Sequence, residues 1–258
     1  TNPASPQIVG SVVTPSYATG VAVSGAYAYV ADWFSGLQVI DITNPASPQI
    51  VGSVDTSGFA RGVAISSTHA YVADGSSGLQ VIDITNPASP RIVGNVDTYD
   101  ANDVAVSRAY AYVADRSSGL QVIDITNPAS PQIVGSVDTP DPASAVAVSG
   151  AYAYVAGESG LQVIDITNPA SPQTVGSVNT PDYVSGVTVS EAYAYVADGS
   201  SGLQVIDFRN PASPRIVGSL DTDYANDVAV SGAYAYVANG SSGLQVIDIT
   251  NPASPQIV

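Results

Sequence analysis

Apolar positions fall in short runs that are separated by clusters of glycine, serine, proline and asparagine. The first four runs are Gly20–Ser24, Ala26–Ala31, Leu37–Ile42 and Gln49–Val54, and all are rich in small, β-branched or aromatic residues. Runs of this length, bounded by turn residues, predict β-strands. No run has the 3.6-residue periodicity of an amphipathic helix, so we expect almost no helix.

This group of four runs recurs along the whole chain. A turn with the sequence T-N-P-A-S-P follows the third run, and the sixth full copy of that turn reads R-N-P-A-S-P. The turn asparagines are 41 or 42 residues apart, at Asn2, Asn44, Asn86, Asn127, Asn168, Asn210 and Asn251. A repeat of about 42 residues that contains four strands indicates a propeller blade.

The runs are apolar at nearly successive positions, which is typical of sheets covered on both faces. A ring of radially stacked sheets provides that cover. We therefore predict an all-β, six-bladed β-propeller of four-stranded antiparallel blades with about 41–42 residues per repeat, forming one domain over residues 1–258. We label the strands A (inner) to D (outer), because strand A has small side chains and strand D follows a proline, which cannot donate to a central ladder. Glycine opens every strand C, which predicts positive φ or a close backbone approach.

Composition narrows the functional classes. The chain has 258 residues, a formal net charge of −16 and six basic residues, all arginine. Such a charge repels phosphate backbones and anionic lipids, and no apolar run approaches the length of a membrane span. Nucleic-acid binding and membrane insertion are therefore not expected. Cysteine and methionine are both absent, which rules out disulfides and thiolate chemistry and suits an oxidising extracellular setting.

The third run carries a resemblance to a known family. It reads L-Q-V-I-D at Leu37–Asp41, Leu79–Asp83, Leu120–Asp124, Leu161–Asp165, Leu203–Asp207 and Leu244–Asp248. The chain thus resembles the LVIVD-repeat family of propeller-like proteins, with Gln where the family name has its first Val, and its layout is similar to a WD40 blade. The resemblance implies the fold and a bacterial or archaeal cell-surface or secreted location. It implies no catalytic residues.

Candidate catalytic and metal-binding groups are few. His69 is the single histidine and replaces the tyrosine that usually begins strand B, so we expect a packing role and not catalysis. The strand C aspartates, such as Asp41, are expected to accept hydrogen bonds from nearby turn N–H groups. Two loops gather the oxygen ligands that calcium prefers, but neither continues into a calcium-loop pattern, and solvated turns are favoured there. The weak calcium candidates are Asp100, Asn102, Asp103, Asp223, Asn226 and Asp227.

Large side chains interrupt the repeat in the D–A and B–C loops, which emerge at the same end of a four-stranded blade. Exposed aromatic residues and arginines in such loops are typical of binding surfaces. The residues are Tyr17, Trp33, Phe34, Phe59, Arg61, Tyr99, Arg116, Tyr183 and Tyr224. We expect a binding surface centred near blades 1 and 2, at Trp33–Phe34.

We therefore expect a non-enzymatic binding or adhesion module, without a cofactor, that presents one loop surface to a protein or glycan. The alternative is a structural unit that assembles into arrays or filaments, and an enzyme is the least expected. The segment T-N-P-A-S-P-Q-I-V occurs at residues 1–9 and again at 250–258. Either Gln7–Val12 or the C-terminal copy can supply strand D of the last blade, and the surplus copy is then free to pair with another molecule.

Overall fold

A computed structural model describes residues 2–258 and shows an all-β, six-bladed β-propeller. Each blade is a four-stranded antiparallel sheet whose strands A to D follow chain order. The described residues contain one helical element, a 3-10 turn at Gly240–Ser242, and no helix that could cross a membrane. The predicted fold class is confirmed.

Residue contacts divide the chain into two compact units. We call Gln7–Ser136 the N-terminal unit, and residues 2–6 with 137–258 the C-terminal unit.

The N-terminal unit holds blades 1 to 3. Their strands are β1 (Gly20–Ser24), β2 (Tyr27–Ala31), β3 (Leu37–Asp41), β4 (Gln49–Val54), β5 (Gly62–Ser66), β6 (His69–Ala73), β7 (Leu79–Asp83), β8 (Arg91–Val96), β9 (Asp103–Ser107), β10 (Tyr110–Ala114), β11 (Leu120–Asp124) and β12 (Gln132–Val137).

The C-terminal unit holds blades 4 to 6. Their strands are β13 (Ala145–Ser149), β14 (Tyr152–Gly157), β15 (Gly160–Asp165), β16 (Gln173–Asn179), β17 (Gly186–Ser190), β18 (Tyr193–Ala197), β19 (Leu203–Asp207), β20 (Arg215–Leu220), β21 (Asp227–Ser231), β22 (Tyr234–Ala238), β23 (Leu244–Asp248) and β24 (Gln256–Ile257).

The glycine that precedes strand C has both a positive φ and a close backbone neighbour, the two properties predicted for it. Gly36 has a φ of +62°, and a Cβ built on it would lie 2.3 Å from the Val54 carbonyl oxygen of strand D. The five equivalent glycines also have positive φ. A residue with a side chain would be strained in this backbone conformation and would collide with the neighbouring strand.

Neighbouring blades of a unit bury their apolar faces against each other. Between blades 1 and 2, Tyr29, Leu37 and Val39 pack against Val72 and Ile82 of the next blade. The same kind of cluster recurs between blades 2 and 3, 4 and 5, and 5 and 6. Because a sheet with a neighbour on each side, as in blades 2 and 5, is covered on both faces, its strands are apolar at successive positions, as the sequence indicated.

A second contact between blades joins strand D to the T-N-P-A-S-P turn of the following blade. A Cβ built on Gly94 of strand D would lie 2.2 Å from the Pro128 carbonyl oxygen. A Cβ built on Gly52, Gly176 or Gly218 would lie 2.1 Å from the corresponding proline carbonyl oxygen. Strand D therefore requires glycine here because the next blade occupies the space of a side chain.

Buried aspartates after strand B hold the loops at one end of the blades. Asp74, fully buried, accepts hydrogen bonds from the Thr56 hydroxyl at 2.6 Å and from the Gly58 N–H at 2.9 Å. Asp115 accepts bonds from Thr98 and Tyr99 in the same way. These carboxylates join the B–C loop of a blade to the D–A loop that leads into it, a role that the sequence pattern did not predict.

The two terminal copies of the repeated segment have different positions. Gln256–Ile257 pairs with Ile247–Asp248 and completes the last blade, so the C-terminal copy supplies strand D there. Gln7–Val12 forms no strand among the described residues and is the surplus copy. Of the two alternatives for the last strand, the structure shows the one that leaves the N-terminal segment unpaired.

We predict that Gly94→Ala lowers the free energy of unfolding by more than about 3 kcal/mol, because the new methyl group collides with a backbone carbonyl that has no room to move. The measurement is the midpoint of chemical denaturation. Asn95→Ala, at an exposed position of the same strand, is the matched control and should change stability by less than about 0.5 kcal/mol. Equal effects of the two changes would show that the blades do not meet at this glycine.

We also predict a pH dependence caused by Asp198, whose burial raises the pKa of its carboxyl group from 3.8 to about 6. Between pH 4 and pH 6 this carboxyl group is ionised in the unfolded chain but still largely protonated in the folded protein. The free energy of unfolding therefore falls as pH rises through this window, by on the order of 2 kcal/mol. Asp198→Asn should remove this fall, since the neutral amide does not ionise.

Blade 6 already carries an asparagine, Asn239, at the equivalent position, where it accepts the Tyr224 N–H. Asp221→Asn removes one exposed charge from the same blade as Asp198 and serves as the control. Urea denaturation of the three proteins at several pH values provides the measurement. If Asp198→Asn retains the slope of the original protein, burial of this carboxylate is not its cause.

Candidate functional site

The loop between strands B and C is held from both sides by polar side chains. Asp32, at its start, accepts a hydrogen bond from the Ser16 N–H at 3.0 Å. Gln38, in strand C, is buried and donates from its side-chain nitrogen to the Ser35 carbonyl at 2.7 Å. The equivalent glutamines of blades 2, 3 and 5 make the same bond. This bond explains why the second position of the L-Q-V-I-D motif is glutamine, and it fixes the loop that carries Trp33 and Phe34.

Trp33 lies at a position of this loop that has a left-handed backbone. Its φ is +45°, and blades 2, 5 and 6 place glycines there, namely Gly75, Gly199 and Gly240, also with positive φ. A residue other than glycine in this conformation lowers the stability of the fold by about 1 kcal/mol. Trp33 is held there by two backbone hydrogen bonds with Ala60 of blade 2, at 3.0 and 3.1 Å.

Three aromatic rings meet beside this turn. Trp33 stacks on Phe59, with ring centroids 5.2 Å apart and planes at 27°. Phe34 meets Phe59 edge to face at 5.1 Å and Trp33 at 6.2 Å. Phe34 is 63% exposed, whereas Trp33 and Phe59 are half-buried. We call Trp33, Phe34 and Phe59 the aromatic cluster.

Arginines border the aromatic cluster. The Arg61 guanidinium lies over the Trp33 ring at 5.5 Å and donates to Asp100 at 2.7 Å. Arg116, 42% exposed, approaches the other oxygen of Asp100 at 3.1 Å. Arg116 occupies the same left-handed position in blade 3, with a φ of +41°. Two of the six basic residues of the chain therefore converge on one carboxylate next to the aromatic cluster.

The structure thus brings together four of the nine predicted binding residues, namely Trp33, Phe34, Phe59 and Arg61, and joins Arg116 to them through Asp100. Tyr17 and Tyr99 are exposed elsewhere in the N-terminal unit. Tyr183 and Tyr224 belong to the C-terminal unit. The sequence showed the large side chains, but the role of Asp100 as their shared counter-ion appears only in the structure.

The calcium candidates have partners within the protein. Asp100 forms salt bridges with Arg61 and Arg116. Asp223 accepts a hydrogen bond from the Ser242 hydroxyl at 2.9 Å, and Asp227 accepts one from the Val228 N–H at 2.8 Å. Asp103 accepts the Val104 N–H. Over residues 2–258, no group of three or more His, Cys, Asp or Glu side chains could hold a metal ion. Asn102 lies within 3.4 Å of Arg61, and Asn226 donates its backbone N–H to Ala238.

The remaining titratable groups have structural roles. His69 bonds to the neighbouring Thr68 hydroxyl at 3.2 Å and lies beside Tyr71. The strand C carboxylate Asp41 accepts hydrogen bonds from the Thr43 hydroxyl and N–H, which lower its pKa. The other strand C aspartates bond in the same way two residues along the chain, as expected.

We predict that Trp33→Gly is more stable than Trp33→Ala by about 1 kcal/mol, because both remove the stacked ring but only glycine relieves the left-handed backbone. Melting temperatures of the two variants provide the comparison. Phe34→Gly and Phe34→Ala form the control pair at the adjacent position, which has no positive φ. There, alanine should be at least as stable as glycine. An alanine variant of Trp33 that matches or exceeds its glycine variant would contradict the strained backbone.

Comparisons with known proteins agree with this architecture. The WD40 β-propeller domain of Doa1 is similar over 95% of this chain and 82% of that chain, with a TM-score of 0.74 and 9% identity. The computationally designed Ika8 protein is similar over 95% of this chain and 86% of that chain, with a TM-score of 0.69 and 13% identity. At these identities the likeness shows the fold alone. A search of curated protein sequences finds no match.

The family model for the LVIVD repeat matches six segments, at residues 15–56, 57–98, 100–139, 142–180, 181–222 and 223–258. Each match contains one copy of the strand C motif, including the aspartate that accepts hydrogen bonds from the residue two positions onward. The chain therefore belongs to the LVIVD-repeat family.

Proposed function

We propose that this protein is a non-enzymatic binding module that presents the aromatic cluster and its arginines to a partner protein. Propeller domains commonly bind other proteins. The observation that carries the proposal is Trp33, a bulky residue at a left-handed position where three other blades have glycine. Backbone strain of this kind persists where the side chain has a use, and here Trp33 supports an exposed Phe34.

The arrangement of the rings favours a protein partner over a glycan. A sugar is best received by a free, flat aromatic face, but the Trp33 ring is stacked by Phe59 and covered by the Arg61 guanidinium. The ring most exposed to solvent is that of Phe34, at 63%. An apolar side chain of a partner loop can pack against Phe34, as anchors do at the centre of protein interfaces.

The charges indicate which partner surface fits. Both arginines pair with Asp100, but the Arg116 side chain is 42% exposed and that of Arg61 only 15%, so Arg116 is the cation that can receive a carboxylate beside the apolar anchor. The net charge of −16 attracts a basic partner over longer distances. We infer a partner that is basic overall and carries an apolar anchor with one acidic residue next to it.

We further infer that the protein is not an enzyme and acts at the cell surface or outside the cell. The first inference is supported by His69, which lies in strand B and bonds to Thr68 instead of a carboxylate. The second is supported by a chain without cysteine or methionine, the residues most readily oxidised. Assembly of copies into arrays is a second candidate function, favoured by the surplus N-terminal segment, whose Ile8 is 93% exposed.

We predict that Phe34→Ala weakens partner binding by at least about tenfold while stability changes by less than about 1 kcal/mol, because the ring is exposed and removing it leaves no cavity. Peptides selected from a displayed random library on the full protein serve as the probe. Their affinities for the original protein and the variant are compared by calorimetry, alongside melting temperatures.

Ile133→Ala, an exposed apolar residue of strand D in blade 3, is the control and should leave the affinities unchanged. Peptides that bind Phe34→Ala as tightly as the original protein would contradict the proposed surface. A glycan array forms the second arm of the experiment. Glycan binding that requires Phe34, without any peptide that does, would show that the partner class is wrong.

A further inference from the structure

The C–D turn of blade 5 differs from those of the other blades. Five blades have a threonine two residues after the strand C aspartate, and its hydroxyl donates to that aspartate. Blade 5 has Arg209 at this position. At the start of strand D, Arg215 replaces the glutamine that four other blades have. Two of the six basic residues of the chain therefore flank one turn of one blade.

Both arginines pair with the carboxylate of Asp207, which is 5% exposed. Arg209 donates from Nε to both carboxylate oxygens, at 3.0 and 3.1 Å, and its guanidinium lies over the Tyr193 ring at 5.8 Å. The Arg215 Nη2 lies 3.7 Å from the Asp207 Oδ2. The hydrogen bonds from Arg209 lower the pKa of Asp207 to about 2, so the carboxylate stays ionised near neutral pH. The arginine side chains are 64% and 72% exposed, which leaves their other N–H groups open to solvent.

Two further polar side chains of this turn are available to a ligand. The other six turn asparagines accept an N–H from two residues onward, whereas the Asn210 side chain makes no such bond among the described residues. In blades 1 and 4 the strand D glutamine donates to the turn serine, a bond that Ser213 lacks because Arg215 replaces the glutamine. These side chains line an open cleft together with Asp207. We call Arg209, Asn210, Ser213 and Arg215 the arginine cleft.

A second cleft lies between blades 5 and 6 of the same unit, and Tyr193 lines it. Tyr195 also lines it and is only 3% exposed, yet its hydroxyl makes no hydrogen bond within the described part of the chain. Burial raises the pKa of Tyr195, so this hydroxyl is protonated and can donate. Ser190 and Glu191 add a hydroxyl and a carboxylate. We call Ser190, Glu191, Tyr193 and Tyr195 the tyrosine cleft.

The two clefts adjoin, because Arg209 lines the first and lies over Tyr193, which lines the second. Their volumes are about 340 and 370 Å³. Each is thus in the size range of small-molecule sites in proteins. One of them presents cations, and the other presents hydroxyl groups and a carboxylate.

We propose that the adjoining clefts bind a sugar acid, with its carboxylate in the arginine cleft and its hydroxyl groups in the tyrosine cleft. A guanidinium has parallel N–H donors that match the two oxygens of a carboxylate. Arg209 is already oriented by Asp207 and Tyr193, so little side-chain freedom is lost on binding. A sugar hydroxyl both donates and accepts, and it can therefore bond to the Glu191 carboxylate and the Tyr195 hydroxyl.

The charges favour an acid with a single carboxylate. Two guanidiniums and the Asp207 carboxylate leave one positive charge in the arginine cleft, whereas a phosphate monoester carries nearly two negative charges. The net charge of −16 repels polyanions. Glu191 forms no ion pair with either arginine among the described residues, so its carboxylate disfavours a second acidic group and accepts from hydroxyls. This site belongs to the C-terminal unit and does not depend on the proposed role of the aromatic cluster.

The test compares three ligands, namely glucuronate, glucose and acetate. Glucuronate differs from glucose only in the carboxylate that replaces the primary alcohol, and acetate supplies a carboxylate without the sugar. Titrations of the full chain, followed by nuclear magnetic resonance in about 0.15 M NaCl, measure the three affinities. Glucuronate should bind at least about tenfold more tightly than glucose or acetate.

Two variants remove the cations while restoring the residues of other blades. Arg209→Thr and Arg215→Gln should each keep the fold, as melting temperatures will verify, and each should weaken glucuronate binding at least about tenfold. Arg91→Gln is the matched control, because it removes the same charge from the same position of blade 2, where Arg91 also pairs with the strand C aspartate. It should leave the affinity for glucuronate unchanged.

A third variant tests the contact with the sugar hydroxyls. Tyr195→Phe removes only the unpaired hydroxyl of the tyrosine cleft, so it should weaken glucuronate binding about fivefold and leave acetate binding unchanged. Tyr71→Phe, the equivalent change in blade 2, is the control and should have no effect on either ligand.

Several outcomes would contradict the proposal. Glucuronate that shows no saturable binding, or that binds Arg215→Gln as tightly as the original protein, would show that the arginine cleft is not its site. An equal loss of affinity in Arg91→Gln would show a general effect of charge. Equal affinities for glucuronate and acetate would show that the cleft takes a simple carboxylate, such as an acidic side chain of a partner protein, and would exclude the sugar acid.

Discussion

The close approach of strand D to the following turn constrains the rest of the molecule. A glycine of one blade lies against the proline carbonyl of the next, as Gly94 does against Pro128, with no space for a side chain between them. This contact sets the distance between outer strands, while the apolar clusters set it nearer the centre. The T-N-P-A-S-P turn and the glycine of strand D therefore form one contact between neighbouring blades. They recur together because the turn can pack this closely only on a residue without a side chain.

The loops at the end of the blades are likewise held by a small number of repeated contacts. Asp74 joins the B–C loop of its blade to the D–A loop, and Gln80 ties the B–C loop to strand C. Because these bonds come from buried side chains and from the backbone, the side chains at the tip of the loop are not needed to hold its shape. Trp33 and Phe34 can therefore differ from their counterparts in other blades while the loop backbone stays the same.

Much of the fold could be predicted from the sequence because the pattern of each strand occurs in all six repeats. The bounds of β1 and β4 match the apolar runs. Strand B begins one residue later than its run and strand C ends one residue earlier, because a single bond from the Ile42 N–H to the Ala26 carbonyl lies beyond the regular ladder.

The site was harder to predict than the fold. Trp33, Phe34 and Phe59 were identified by their size, but Asp74 and Asp100 were not recognised as anchors. Their hydrogen bonds join residues that are distant in sequence, and the aspartate that follows strand B looks like an ordinary turn residue. A pattern within one repeat cannot indicate which loop of the neighbouring blade a carboxylate will reach.

The left-handed position of the B–C turn gives the repeat a way to vary its surface. Glycine fits there without strain at Gly75, Gly199 and Gly240, yet tryptophan occupies it in blade 1 and arginine in blade 3. Five of the six blades thus have a position at which a single codon change adds a large aromatic or cationic group to the surface, at a cost of about 1 kcal/mol in stability and without an insertion. A lineage of such proteins can explore new partners one blade at a time, while the joints between blades stay fixed.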